Sequence, residues 1–246
     1  MIKTFYSDLD DFAFLTTPHY ERAKALAIFY MVEEFDKKFP AVEQIMAKLE
    51  ENDSLAHNIG FHILERFPLG LVKSYKDIAR EIGLEPRKDI EEAIFQAGMG
   101  PFNITIYKGQ DLLPGYKNFM NYLKEQEIRL GIISKGKREY QLEKVNHFIL
   151  WRWFNLEDIH ILEHKTPKNL LEIIKDPNTT LFGTDSLDDV AVSLEAGIKV
   201  LHIPLPKVYT TYFGNTKEIP LSKKYNRFNS LEFLTSKPEL ITTLLE

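Results

Sequence analysis

Asp8 and Asp10 stand two residues apart at the end of the run Lys3-Thr4-Phe5-Tyr6-Ser7. The run is short, aromatic and β-favouring, so it reads as a buried strand that feeds an acidic loop. Two carboxylates in that place repel each other, and burying them uncompensated is costly, so a cation is their natural partner. Asp185 and Asp189 repeat the situation after a second apolar run, Thr180 to Phe182. The chain has no cysteine, so a metal must sit on oxygen or imidazole, and carboxylates with little histidine among them suit a hard cation; Mg²⁺ takes one or two carboxylates together with substrate phosphate and water. Ser134, closing the run Ile128 to Ser134, can donate to a phosphate oxygen, as can the amides beside it. Lys165 supplies a fixed positive charge, with Lys168 a rival in the same turn. Such a set suits phosphoryl transfer.

Those residues need a scaffold that brings several strand ends together. From Thr17 to about Gly100 the pattern is helical, with segments at Ala23 to Phe35, Ala41 to Glu51, Leu55 to Phe67, Tyr75 to Ile82 and Asp89 to Ala97. Ser74 and Asp77 resemble a capping box for the fourth, and Pro40, Pro68, Gly70 and Pro86 are read as lying between elements. After Leu113-Pro114-Gly115 helices and strands alternate: helices at Tyr116 to Gln126, Lys137 to about Leu150, Lys168 to Lys175 and Ser186 to Ala196, with strands at Ile128 to Ser134, Ile159 to Leu162, Thr180 to Phe182 and Ile198 to Ile203. That alternation predicts a parallel sheet covered by helices, with the ligand at the carboxyl ends of its strands. The stretch from Leu205 to Lys224 has no period and is assigned no function.

The residues in these loops resemble the four motifs of the haloacid dehalogenase superfamily, in order along nearly the whole chain. Asp8-Leu9-Asp10 is similar to its Asp-x-Asp motif, and Leu130 to Gly136 to its second, a strand ending in Ser or Thr. Lys165-Thr166-Pro167 is similar to the third motif's lysine, and Gly183-Thr184-Asp185-Ser186-Leu187-Asp188-Asp189 to the acidic fourth. The resemblance implies an α/β fold: a Rossmann-like parallel sheet core from residues 1–15 and 112–246, interrupted by an all-helical cap of the C1 type over 16–111 that closes over the site. It implies a Mg²⁺-dependent phosphatase acting on a small phosphorylated metabolite. Asp8 is then the nucleophile and Asp10 the general acid and base. Ser134, Lys135 and Lys165 bind the phosphate, and Asp8, Asp10 through its carbonyl, Asp185 and Asp189 serve the metal. Dehalogenases of the family lack the second aspartate, because a halide leaves without a proton; Asp10 therefore favours the phosphatase branch. Many relatives carry Gly-Thr where this chain has Asp11-Phe12, and Gly-Asp where it has Thr184 before Asp185. A phosphotransferase or mutase, or a catalytically weak binding scaffold, are the alternatives.

Plainer readings accompany these. Asp188 and Asp189 also suit a capped helix start, and the spacings His160/His164 and His57/His62 fit no helical metal pair. Phe148 to Phe154, with Trp151 and Trp153, is read as cover for a sheet edge or a partner, and Tyr20, Arg22 and Arg66 are the cap side chains that could reach a substrate. With 246 residues, 44% hydrophobic, 27% charged and a net charge of −5 without a dense basic stretch, the chain suits an ordinary globular protein without a nucleic-acid partner. No apolar run is long enough for a membrane span and the N-terminus has no signal-peptide pattern, so a cytoplasmic location is expected; the oligomeric state is open between monomer and homodimer.

Overall fold

The five apolar runs become β1 (Thr4–Ser7), β2 (Arg129–Lys135), β3 (Ile159–Leu162), β4 (Thr180–Thr184) and β5 (Lys199–His202), and among the described residues a sixth strand, β6 (Tyr225–Arg227), joins them. The structure is a computed structural model, and the residues it describes are 1–58, 64–205 and 222–246, without the side chains of 37 and 54–58. The His57 and His62 side chains and most of the aperiodic stretch after Leu205 lie outside them. The strands form one sheet in the order β3-β2-β1-β4-β5-β6, and every pairing is parallel. β1 lies at the middle, with Ser7 opposite Ile132 on one side and Gly183 on the other. Because the chain winds outward in one direction through β2 and β3 and in the other through β4 and β5, the carboxyl ends of β1 and β4 flank the switch point, where open parallel sheets bind ligands.

The chain divides into two compact units, Met1–Thr17 with Gly109–Glu246, and Pro18–Lys108. The first holds the sheet with α5 (Tyr116–Glu125), α6 (Arg138–His147), α7 (Pro167–Ile173), α8 (Leu187–Glu195), α9 (Leu231–Thr235) and α10 (Pro238–Leu245); the second holds α1 (Thr17–Phe35, beginning at the boundary), α2 (Val42–Asn58), α3 (Arg66–Glu81) and α4 (Lys88–Met99). Tyr116, Phe119, Met120 and Leu123 share the buried face of α5, and Phe119 meets Phe5 of β1 edge to face at 5.4 Å. Gly183 of β4 lies under Phe12 and Phe5, where an added Cβ would stand 2.5 and 2.7 Å from ring carbons. Gly183→Ala is therefore expected to lose about 1–3 kcal/mol of stability in urea denaturation through overpacking, and an unchanged midpoint would contradict that packing.

The helical unit is built on apolar residues one turn apart: Ala23, Ala27, Met31 and Phe35 line the inner face of α1, and the Phe35 ring stacks on Tyr75 of α3 at 5.8 Å. Here the expected capping box fails. α3 runs unbroken through Pro68, Gly70, Ser74 and Asp77, because a proline in a first helical turn removes only an N–H that has no helical partner. Gly70 faces the α2 backbone at Asn52 and Asp53, and Ser74 is buried mid-helix, donating to the Gly70 carbonyl at 2.9 Å and accepting from Asn52 at 3.0 Å. Asp77 is ion-paired with Lys73 at 2.5 Å. Among the described residues no helix is long and apolar enough to cross a membrane.

Two further departures lie in the sheet unit. α6 stops at His147 rather than near Leu150, since Ile149 adopts φ 53° and a 3-10 turn, Leu150–Arg152, follows. Phe148 stacks on Phe14 at 4.1 Å, while Trp153 packs edge-on to Tyr116 and donates to Asn121, so much of the aromatic cluster is core; Trp151 stays exposed. The short strand β6 was not expected, as three residues give no readable period.

Candidate active site

Asp8 follows β1 directly, and its amide donates to the Gly183 carbonyl at 2.8 Å, so the loop starts from the centre of the sheet. One carboxylate oxygen, Oδ1, accepts from the Leu9 amide at 2.8 Å; the other, Oδ2, accepts from the Lys165 ammonium at 2.6 Å. Lys165 is carried by the loop after β3 and held by α7, whose first turn is set by Pro167 and capped by Thr166. Its Nζ also reaches Asp189 Oδ2 at 2.5 Å and lies over the Phe182 ring at 5.2 Å. Lys168 is exposed on α7, so the lysine at the carboxylates is Lys165. Asp189 stands in the first turn of α8, with its amide bonded to the capping hydroxyl of Ser186.

Thr184, in sequence only a departure from the family's Gly-Asp, is fully buried, and its hydroxyl lies 3.4 Å from Asp8 Oδ2 and 3.3 Å from Asp189 Oδ2. Behind Asp8 a pair of buried hydroxyls fixes the main chain: Ser7 donates to the Asp8 carbonyl at 2.6 Å, and its oxygen is 3.0 Å from the Tyr116 hydroxyl. Burial raises the Tyr116 phenol above its ordinary range against the Ser7 hydrogen bond, so it is neutral at physiological pH.

The charges in this group do not balance. Desolvation pushes the Asp8 carboxyl up to about 7 despite the opposite pull of Lys165, and Asp189 adds to the rise. Asp185 is raised well above the usual carboxylate range, by burial first and then by Asp11, Asp8 and Asp189. Burial also works against the charges of Asp189 and Lys165, but their ion pair outweighs it: Asp189 is lowered and Lys165 raised. One buried ammonium thus serves two carboxylates, with the Asp185 carboxyl a further buried acid nearby. Among the described residues no three or more His, Asp or Glu side chains are grouped so that together they could hold a metal ion.

The other expected residues are placed as follows. Ser134 is buried at the end of β2, and Lys135 beside it is exposed and lowers Asp189 through its charge. The Asp10 carboxylate does not join the others. It turns to α6, where Lys144 donates to Oδ1 at 2.6 Å and Gln141 to Oδ2 at 2.9 Å. Neither partner was singled out from the sequence; the signal available was a helix whose residues 138–147 carry no clean apolar stripe.

Asp11 takes φ 60°, a backbone position natural to glycine and open to aspartate. Its carboxylate accepts from the amides and hydroxyls of both Thr16 and Thr17, at 2.6 to 2.9 Å, and so closes the turn that leads to α1. Burial raises its carboxyl against those bonds.

Of the remaining expectations, His160 in β3 packs on the Tyr6 ring and His164 lies in the following loop, its carbonyl accepting from Asn169. In the helical unit Tyr20 meets the rings of Phe67 and Phe102, Arg66 lies 3.8 Å from Asp53, and Arg22 is exposed.

No family model matches the chain, and no curated protein matches its sequence. Solved structures do. A haloacid dehalogenase-like family hydrolase from Xanthomonas campestris superposes with a TM-score of 0.73 at 13% identity, over 99% of this chain and 97% of that one. A putative HAD-hydrolase from Bacillus subtilis, described as bound to magnesium, gives 0.57 at 17% identity over 97% and 98%. A 2-haloacid dehalogenase from Pseudomonas syringae gives 0.56 at 19% identity, over 99% of each chain. From β1 to α10, this chain has the fold of the haloacid dehalogenase-like hydrolases.

Proposed function

We propose that the chain is a Mg²⁺-dependent phosphomonoester hydrolase that acts on a small phosphorylated metabolite through an aspartyl-phosphate. The observation that carries the reading is the Asp8 carboxylate at the centre of the sheet, 2.6 Å from the Lys165 ammonium, with a second carboxylate two residues on. Asp8 attacks phosphorus as the bond to the leaving oxygen breaks, and Asp10 gives that oxygen its proton. A water molecule then attacks the phosphoryl group and releases Asp8, with Asp10 taking the proton back. Lys165, Ser134 and Lys135 hold the phosphoryl oxygens, and Asp189 keeps Lys165 in place.

Asp8, Asp185 and the main-chain carbonyl of Asp10 are the groups we assign to Mg²⁺. When bound, the ion offsets the charge of the transferring group. Its fit rests on the surplus of buried carboxylates over Lys165 described above. A carbon–halogen hydrolysis, suggested by the likeness to the 2-haloacid dehalogenase, needs no acid at the leaving atom and gives Asp10 no task.

The test is turnover of p-nitrophenyl phosphate and a panel of alkyl phosphomonoesters by the purified protein. Activity is expected with Mg²⁺ and is lost on chelation. A panel without turnover at any metal concentration would remove the phosphatase reading.

A further inference from the structure

α6 turns the wrong residues inward. Its buried positions include Gln141 and Lys144, at 2% and 1% exposure, where an apolar pair would be ordinary. The Lys144 ammonium lies 4.4 Å from the centre of the Tyr140 ring and 6.0 Å from that of Phe14. Burying a charge in such a place is not a route to stability, and local rules broken at a cost mark places where function is served.

What the two residues do together is hold one carboxylate by both oxygens. Lys144 and Gln141 are three positions apart on one helical face, and each donates to a different oxygen of Asp10. The Gln141 amide also donates to the Lys135 carbonyl at 2.8 Å, tying the loop after β1 to the last residue of β2. With both of its hydrogens used, Gln141 keeps Oε1 as a buried acceptor without a hydrogen-bond partner, a suitable place for a water molecule or a substrate hydroxyl.

We propose that Lys144 and Gln141 are positioning residues that fix the Asp10 carboxylate for its proton transfers. The inference rests on the phosphatase reading above and adds to it a part of the molecule that reading does not use.

The experiment compares wild type with Lys144→Met, Lys144→Arg and Gln141→Leu on an alkyl phosphate and on p-nitrophenyl phosphate, whose leaving group departs without a proton. Lys144→Met is expected to lower kcat/KM on the alkyl ester on the order of 10²-fold, the usual scale for a misplaced group, and markedly less on the aryl ester. Lys144→Arg recovers part of the loss, and inhibition by inorganic phosphate, which involves no proton transfer to a leaving group, is unchanged. In an Asp10→Asn background Lys144→Met costs nothing further, because residues acting through one another are not additive. Gln141→Leu follows the same pattern and carries the test should Lys144→Met fail to fold. Equal losses on both esters, or the same loss with Asp10→Asn present, would overturn the inference while leaving an active wild type and its phosphatase reading intact. A wild type that hydrolyses neither ester overturns both.

Discussion

Asp8→Asn is expected to lower phosphatase turnover by at least about four orders of magnitude, as loss of a covalent nucleophile does, and at the same time to raise the melting temperature of the metal-free protein at pH 8. The first effect follows from the attacking role proposed for it. The second follows from what the fold pays to keep a carboxylate there. Burial raises the Asp8 carboxyl from 3.8 to about 7 in spite of Lys165, with Asp189 adding to the rise. A carboxyl whose folded value lies above its unfolded one contributes no penalty below the unfolded value, and the fold loses stability as pH rises between the two. The cost therefore grows from about pH 4 to pH 7 and is complete above it. Asparagine cannot ionise, so the variant escapes the cost, while Lys165 keeps Asp189 as its partner. Melting curves from pH 4 to pH 8 should show wild type and variant together at the acid end and separating toward pH 8. A variant less stable than wild type by the same margin at every pH would mean that Asp8 matters through its hydrogen bonds and not its charge. A residue that disfavours the fold in the absence of metal and substrate is one retained for chemistry.

How much of this was open to a reader of the sequence depends on how local the cause is. Asp8, Asp185 and Lys165 each sit in a loop that ends a strand, and the strands are visible because a parallel sheet buried on both faces needs continuous apolar runs. Lys165 could be preferred to Lys168 because it stands before Thr166-Pro167 as the lysine of the third motif does, and that pair also marks a helix start. The Lys144–Asp10 pair is of a different kind. Its members are 134 residues apart, and nothing in α6 announces an inward lysine except the absence of an apolar stripe. The helical unit misled in the opposite way, by strong local signals: Pro68 and Ser74 look like punctuation, yet the packing of Gly70 against α2 and the hydroxyl contacts of Ser74 keep α3 whole. Asp11 belongs to neither class. In the sequence it is only a departure from the family's Gly-Thr, and the left-handed backbone and the two threonines five and six residues on reveal a carboxylate used to close a turn.

Lys165→Met should also abolish activity, but with the opposite effect on stability, and that contrast separates charge balance from nucleophile loss. The Lys165 side chain is 4% exposed and bonds Asp8 and Asp189 at once. Without it two buried carboxylates face each other, with Asp185 and Asp11 adding to the field at this end of the sheet. Thr184 lies within 3.4 Å of both oxygens, but its hydroxyl has one hydrogen to give. Removing one partner from a buried ion pair costs about 3–5 kcal/mol, because the remaining charge has neither water nor counter-ion, and a loss of that size at pH 8 is expected in urea denaturation of the metal-free protein. At pH 5 the loss should shrink, since the carboxyls then take up a proton in place of the ammonium. Adding Asp8→Asn to Lys165→Met should return much of the stability while activity stays absent, because one carboxylate of the opposed pair is gone. If Lys165→Met proves as stable as wild type at pH 8, the carboxylates have water enough to carry their own charge, and the surplus that points to Mg²⁺ disappears with it.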